Sequence, residues 1–575
     1  MAEWDLIIRG GTIIDGSGGA GFEGDVAIKD GKIGAVGKVA GSGAEEIDAR
    51  GHIVTPGFVD IHTHYDGHVH WEHNIRPSAN HGVTTIVTGN CGVGFAPCKP
   101  ENRAKLLTLM EGIEDIPEPV MSAGLKWNWE TFPEFLDAVA ERQLDMDVAM
   151  QLPHAPLRIH VMGDRAAHRE RANEQDIAQM AAIAKEAVEA GAVGFTTSRT
   201  INHKGSDGVL SPAYSAAEDE LTGIAMGLKQ AGKGVLQLIT DFEDHDPEFD
   251  MFERIARASG RPMSISVIQR SQAPETYAAT LDRLAAANAG GIQIRGQCAN
   301  RPTGGLFGLS LRRNAFMFCP SYLPIADLPL DQRVKAMRDP ELRTKIIGEY
   351  PVVDDHPYSQ AVVWLDQIFE LSAEEPDYEP VLSNSVAAIA ERMGMPAAEY
   401  MYDRLIADEG RTLFFLPASS YADFTIDAIA RMMAHPNCVH GLGDGGAHLN
   451  QICDASQQTY MLTRWARGRH GRQLPLERVV QMMTRDTADA LGFRDRGLLR
   501  PGYKADINVI DYDNLTLYRP EVVFDLPSGG GRLFQRASGY RATIVSGQVT
   551  QEHDAPTGRL PGRLVRGEQP APAMA

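Results

Sequence analysis

Eight short runs rich in β-branched and apolar residues recur along the middle of the chain, with helical patterns between most of them. They are "GHIVTPGFVDIHTH", "HGVTTIVTGNCG", "LDMDVAMQLPH", "AVGFTT", "GKGVLQLITDF", "RPMSISVIQ", "GGIQIRGQC" and "NCVHGLGD". Repeated strand-then-helix units predict a parallel sheet covered by helices, and eight of them predict an α/β fold of the (β/α)8 TIM-barrel type. In "EQDIAQMAAIAKEAVEAGAVGF", Ile177, Met180, Ala181, Ala184 and Val188 form the apolar stripe of one covering helix, and a glycine turn follows. The two chain ends have a different texture. "DLIIRGGTIID", "GDVAIKDGKIGAVG", "KADINVIDYDN" and "YRATIVSGQVT" alternate like half-buried strands between Gly, Asp and Asn turns. The expected organisation is a small β-sandwich domain from residues 1–57 and 491–552, and a barrel over 58–490 with a helical insertion at about 326–435. A Pro- and Gly-rich tail over 553–575, flexible or laid over a neighbouring surface, completes it.

The 575 residues carry a formal charge of −21, which argues against nucleic acid and anionic membranes as partners. No apolar run reaches the roughly 20 residues of a membrane span. The six cysteines are scattered, and "MAEWDLIIRGG" is unlike a signal peptide, so a cytoplasmic protein with reduced thiols is expected.

"DIHTHYDGHVHWEHN", residues 60–74, holds five histidines. His62 and His64 stand one residue apart at the end of the first strand, so both side chains point to one side. Two imidazoles at the C-terminal end of a barrel strand are a ready chelate for Zn²⁺. Asp66 continues the series as a ligand or as a hydrogen-bond partner of one. His68, His70 and His73 lie beyond the strand, on an expected loop, as surroundings of the site. His154 in "PHAPLR" follows a strand and is a candidate for substrate contact or oxyanion stabilisation.

"PGFVDIHTHYD" resembles the first-strand motif of the amidohydrolase superfamily, metal-dependent hydrolases on a distorted barrel. "GVTTIVTGNCGVGFAP", "PHAPLR", "EAGAVGFTTS" and "RDRGLLRPGYKADINVID" resemble its D-aminoacylase (N-acyl-D-amino-acid deacylase) branch, over essentially the whole chain. The resemblance implies that Cys91 is a metal ligand, whereas the commonest fate of a free Cys is a small buried side chain; Cys98 matches no motif and is expected to be structural. It also implies that Asp444, in "HGLGDGGAHLN", contacts the metal and acts as general acid and base. His448 is close enough to line the same mouth.

The chain departs from that branch in two ways. Where the branch has metal-binding histidines after strands five and six, this chain aligns Ile239 and Val267, and no lysine follows strand four. One zinc ion per chain on His62, His64, Cys91 and Asp444 is the expectation, with Asp241 and His203 the side chains available to a second. The branch's substrate-gripping Arg after the strand-eight Asp is missing until Arg464, and its strand-six Lys becomes Gln269. Arg199, Arg295 and Arg301 are cations placed to lie near the mouth, with Arg199 the candidate substrate contact. The resemblance implies hydrolysis of a non-peptide C–N amide bond in a small N-acyl compound by a homo-oligomeric enzyme. Cyclic amide hydrolysis, deamination and a non-catalytic barrel are the other readings.

Overall fold

The computed structural model describes residues 2–353 and 361–573. Residues 354–360, inside the expected insertion, lie outside the described residues.

Eight parallel strands form one curled sheet in strict chain order: β1 (Phe58–Asp60), β2 (Val83–Thr88), β3 (Asp147–Pro153), β4 (Gly194–Arg199), β5 (Val235–Thr240), β6 (Met263–Ser266), β7 (Ile294–Cys298) and β8 (Cys438–His440). The curl brings the last strand to the first. A parallel bridge joins Thr63 to Gly445, His64 N–H donates to Gly445 O (2.7 Å) and Asp444 N–H donates to His62 O (3.0 Å). The arrangement is that of a TIM-like barrel.

The helix Glu174–Ala190 between β3 and β4 shows why the sequence folds this way. Asn173 and Asp176 form a reciprocal capping box, and Gly191 ends the helix at φ 126°. Met180, Ala184 and Val188 are buried as expected, together with Ala187 and Asp176, while Ile177 and Ala181 are only half-buried.

The chain ends meet in one nine-stranded sheet. Its centre pairs Ile507–Ile510 antiparallel with Ile53–Pro56, joining residues about 450 apart in sequence. Leu6, Ile8, Val26, Ile28, Val54, Ile507, Val509 and Ile544 fill its core. "KDGK" makes the tight hairpin that Asp-Gly predicts, with Asp30 at φ 50° and Gly31 at φ 73°. The run "GHIVTPGFVDIHTH", read as a single strand, divides at Gly57: Ile53–Pro56 belongs to this sheet and Phe58–Asp60 to the barrel. The stretch between β7 and β8 holds the helices Leu330–Met337, Pro340–Glu349, Val386–Met393 and Ala397–Leu405. A three-stranded sheet of Gly304–Phe307, Phe369–Glu370 and Phe414–Pro417 accompanies them.

The tail is not loose. Its Gly562 N–H donates to Leu144 O (2.8 Å), Val148 N–H to Arg563 O (3.0 Å), and Val565 N–H to Val148 O (2.8 Å). Val565 is buried with Val87, Ala149, Val193, Leu491 and Phe493. The Pro/Gly composition suggested freedom; the pairing of its backbone with β3 and its neighbours removes it.

Val565→Asp would place an unpaired carboxylate in that cluster, a loss of about 3 kcal/mol or more. A clear fall in the thermal midpoint is expected, whereas Thr557→Ser on the exposed approach should leave it unchanged. An unaltered midpoint in Val565→Asp would show that the tail does not pack against the barrel.

Candidate active site

The four side chains expected to hold a metal converge at the C-terminal end of the barrel. Ligand atoms of His62, His64 and Cys91 lie within 4.8 Å of one another. His62 Nε2 stands 3.2 Å from Cys91 Sγ and 3.4 Å from Asp444 Oδ1, and His64 Nε2 stands 3.6 Å from the same oxygen. The histidine side chains are at most 2% exposed and that of Asp444 is 18% exposed, so Asp444 is the member that faces the opening.

Local backbone sets these positions. β1 runs on past Asp60, and Thr63 is bonded to Val87 O through both its N–H and its hydroxyl. Cys91 sits in the tight turn "GNCG" at φ 55°. A side chain on Gly89 would come within 2.3 Å of Gln151 O, and one on Gly92 within 2.9 Å of Thr197 Cα, so glycine is required on both sides. Asn90 holds the turn down by donating to Thr63 O and Val87 O. Asp444 and His448 also adopt left-handed backbone, at φ 44° and 51°. Three non-glycine residues in that region at one site, each costing of order 1 kcal/mol, is strain of the kind that surrounding structure maintains at functional centres.

Two residues orient the imidazoles from behind. His62 Nδ1–H donates to Gln297 Oε1 (2.7 Å), and His64 Nδ1 faces Glu114 Oε1 at 3.2 Å. Each imidazole therefore presents Nε2 to the centre, as metal-binding histidines do. Neither partner was anticipated from the sequence. The electrostatics follow from this crowding. Burial opposes ionisation of Cys91, but His62 and His64 outweigh it and hold the thiol below its usual pKa. Burial likewise opposes charge on Asp444, and the same imidazoles hold it well below the carboxylate range. Two imidazoles, a thiolate and a carboxylate in a buried cluster suit Zn²⁺.

The other expected residues separate. His448 joins the site: its backbone N–H donates to Glu114 O (2.5 Å), and its imidazole lies near Asp444. His203 also reaches it. Its Nδ1 is 2.7 Å from Ser198 Oγ; burial, then the nearby His64 and His448, lower its pKa to about 3. It is a neutral imidazole at the mouth rather than a member of the donor cluster. Asp66 accepts the Thr88 hydroxyl and stands behind the ligands. Asp241 is occupied by Thr200 Oγ1 and Ile201 N–H, both at 2.8 Å.

Several expectations are corrected. His154 has both ring nitrogens engaged inside the fold: Thr197 Oγ1 at 2.8 Å and Glu220 Oε1 at 2.8 Å, with Arg158 on the same carboxylate. Following a strand did not place it on the inner side. Arg199 is committed to Glu248 (3.5 Å) and donates to Ala216 O (3.0 Å). Arg301 is buried against Asp454 and over Tyr378, and Arg295 lies at the start of β7, away from the mouth. Val267, aligned with a family ligand, packs outward beside Gly296 and Leu284; Ser264 and Ser266 take the alternate face. His68 and His70 are on a short buried helix, not a solvated loop, and only His73 is exposed, donating to Gln143 O. Cys98 is buried and its thiol is pushed up to about 12, in line with a structural role.

A curled parallel sheet bearing His, His, Cys and Asp at its C-terminal end is the layout of a metal-dependent hydrolase. The chain belongs to the amidohydrolase family, whose model matches residues 45–551. It is accordingly a hydrolase of carbon–nitrogen bonds other than peptide bonds. It is 27% identical to N-acyl-D-aspartate deacylase of Alcaligenes xylosoxydans xylosoxydans over 98% of this chain and 95% of that one. It is 25% identical to D-aminoacylase of the same organism, covering 98% and 97%. Among solved structures, N-acyl-D-glutamate deacylase from Bordetella bronchiseptica, complexed with zinc and a phosphonate inhibitor, shares the fold at TM-score 0.65 and 23% identity over 98% of this chain and 100% of that one.

The stacking of His70 on Trp129 (4.6 Å) beneath the site gives a pH prediction. Burial, with Arg142 and Lys126 nearby, lowers its pKa from 6.5 to about 3. The unfolded chain takes up a proton that the folded chain refuses, so this contribution is complete above pH 6.5 and is lost as pH falls towards about 3. His70→Phe should flatten the fall in denaturation midpoint over that window while leaving the neutral-pH midpoint nearly unchanged. An identical acid slope would contradict a buried neutral His70.

Proposed function

We propose that this chain is a zinc-dependent amidohydrolase that cleaves the amide bond of a small N-acyl compound, working with one ion per chain. The observation that carries the reading is the buried His62–His64–Cys91 cluster with Asp444 at its open side. A bound zinc ion lowers the pKa of water towards neutrality and polarises a carbonyl. His62, His64, Cys91 and Asp444 would hold it, with Gln297 and Glu114 fixing the imidazoles.

Asp444 is the proton carrier. Its carboxylate is kept ionised by the imidazoles and partly open to the mouth. It accepts a proton from the attacking water and returns it to the leaving nitrogen, without which an amine departs poorly. His203 and His448 border the space opposite and contact the substrate.

Support for a single ion comes from the inner ends of β5 and β6. Ile239 and Ser266 offer no imidazole there, and Asp241 is already bonded. The solved D-aminoacylase is described by a binuclear centre with one-metal activation and second-metal attenuation, so one ion suffices in that relative.

The arginines that the sequence offered for a substrate carboxylate are committed elsewhere. Arg199 and Arg301 are paired, and Arg464 lies by Asp377 and Glu379. A free carboxylate on the substrate is best gripped by a bidentate Arg. We therefore assign a neutral or bulkier amide rather than a free N-acyl-D-amino acid. The wider reading is a homo-oligomeric cytoplasmic enzyme, with its barrel at 58–490 and a β-sandwich domain from 1–57 and 491–552. The six unpaired cysteines support a reducing compartment.

The test is amine release from N-acetyl-D-amino acids and the matching N-acetyl-D-amino acid amides. The amides should be turned over faster, and Asp444→Asn should lower the rate by roughly 10³-fold with cooperative unfolding intact. An unchanged rate in Asp444→Asn would overturn the mechanism.

A further inference from the structure

A cavity away from the barrel mouth lies between the insertion and the segment 518–536. It has a volume of about 750 Å³, within the usual range for small-molecule sites, and the seam between two structural units is where such sites concentrate. It shares no lining residue with the cluster around Asp444.

Its charge is opposite to that of the molecule. Arg333, Arg411, Arg519 and Arg536 line it against Asp327 and Glu521, four cations to two acids, in a chain of net charge −21. The arginines are incompletely neutralised. Arg411 and Arg519 share one carboxylate, Asp408, at 2.9 and 3.0 Å. Arg536 pairs with Glu521. Arg333, on the helix Leu330–Met337, has no carboxylate partner among the described residues. Its Nη atoms donate to Leu309 O, Leu328 O and the Tyr322 hydroxyl, and its buried Nε has no protein partner.

The remaining wall is apolar. Leu328, Leu330, Leu413 and Val522 line it, with Tyr518 and Phe524 at 40% and 76% exposure. An aromatic ring left that open beside incompletely neutralised guanidinium groups matches a ligand with an apolar body and an anionic head.

We propose that this cavity is a second small-molecule site, separate from the hydrolytic centre, that binds an amphipathic carboxylate. The head meets Arg333 and Arg411, and the apolar body lies against Phe524 and Leu413. Arginine–carboxylate pairing supplies the selectivity for charge, and an acidic surface elsewhere leaves few competing sites for an anion.

Octanoate is the probe, titrated calorimetrically into the full chain beside octanamide and acetate. Octanoate should bind with one site per chain, and octanamide about tenfold or more weakly, the value of one charge-assisted contact. Acetate should bind too weakly to detect. Phe524→Ser, at an exposed position that folding does not depend on, and Arg411→Glu should each weaken octanoate by about tenfold. Both should leave metal content and amide hydrolysis unchanged. Equal affinity for octanamide, wild-type affinity in both variants, or no octanoate binding would each overturn the proposal. Binding lost instead in His62→Ala/His64→Ala would assign octanoate to the hydrolytic centre and would equally overturn it. An amide-hydrolysis failure in the wild type would count against the proposed function and leave this test standing.

Discussion

The structure depends on the backbone seam between residues 62–64 and 444–445. His64 N–H bonds to Gly445 O, Asp444 N–H bonds to His62 O, and Thr63 bridges Gly445. These contacts join the last parallel strand to the first. They also set Asp444 opposite the two imidazoles with no further adjustment. Fold closure and donor placement are thus one event, because a parallel ladder fixes the register of both sides at once. The turn "GNCG" adds Cys91 from the neighbouring strand, pinned by Asn90 to that same seam.

The second requirement is that a buried polar cluster be held in one geometry. Two imidazoles, a thiol and a carboxylate removed from water are costly unless each is paired. Here His62 is anchored through Nδ1 by Gln297, His64 Nδ1 faces the Glu114 carboxylate, and the Nε2 atoms converge on Cys91 and Asp444. The opposed preferences of the cluster, a thiol drawn towards thiolate and a carboxylate held ionised, are those a divalent cation would satisfy. A separate aliphatic cluster, which joins Val565 of the tail to Val59, Ile61 and Val87, packs against the barrel strands. Aliphatic packing there and polarity at the C-terminal end leave the mouth as the place for chemistry.

Much of this was legible in the sequence because it is local. The strand-and-helix repeat, the Asp-Gly hairpin and the spacing of His62 and His64 each depend on a few neighbouring residues. Cys91 and Asp444 were legible only through family resemblance, since a lone thiol and an Asp-Gly pair carry little by themselves. Gln297 and Glu114 were invisible: they meet His62 and His64 across long sequence separations, and no periodicity announces such a contact. His154 misled because following a strand does not determine on which face a side chain emerges. Val267 misled for a related reason, since one residue of register along a strand exchanges inside for outside. Whether the tail is loose or docked was not legible, because composition reports what a segment can do alone, not what surface awaits it.

The most direct test of the account is metal content per chain, by elemental mass spectrometry, in protein purified without added metal and in the His62→Ala/His64→Ala variant. One tightly held ion in the wild type, absent from a folded double variant, is the predicted result. No ion even after incubation with zinc, or the same content in both proteins, would contradict the claim that this cluster is a metal centre.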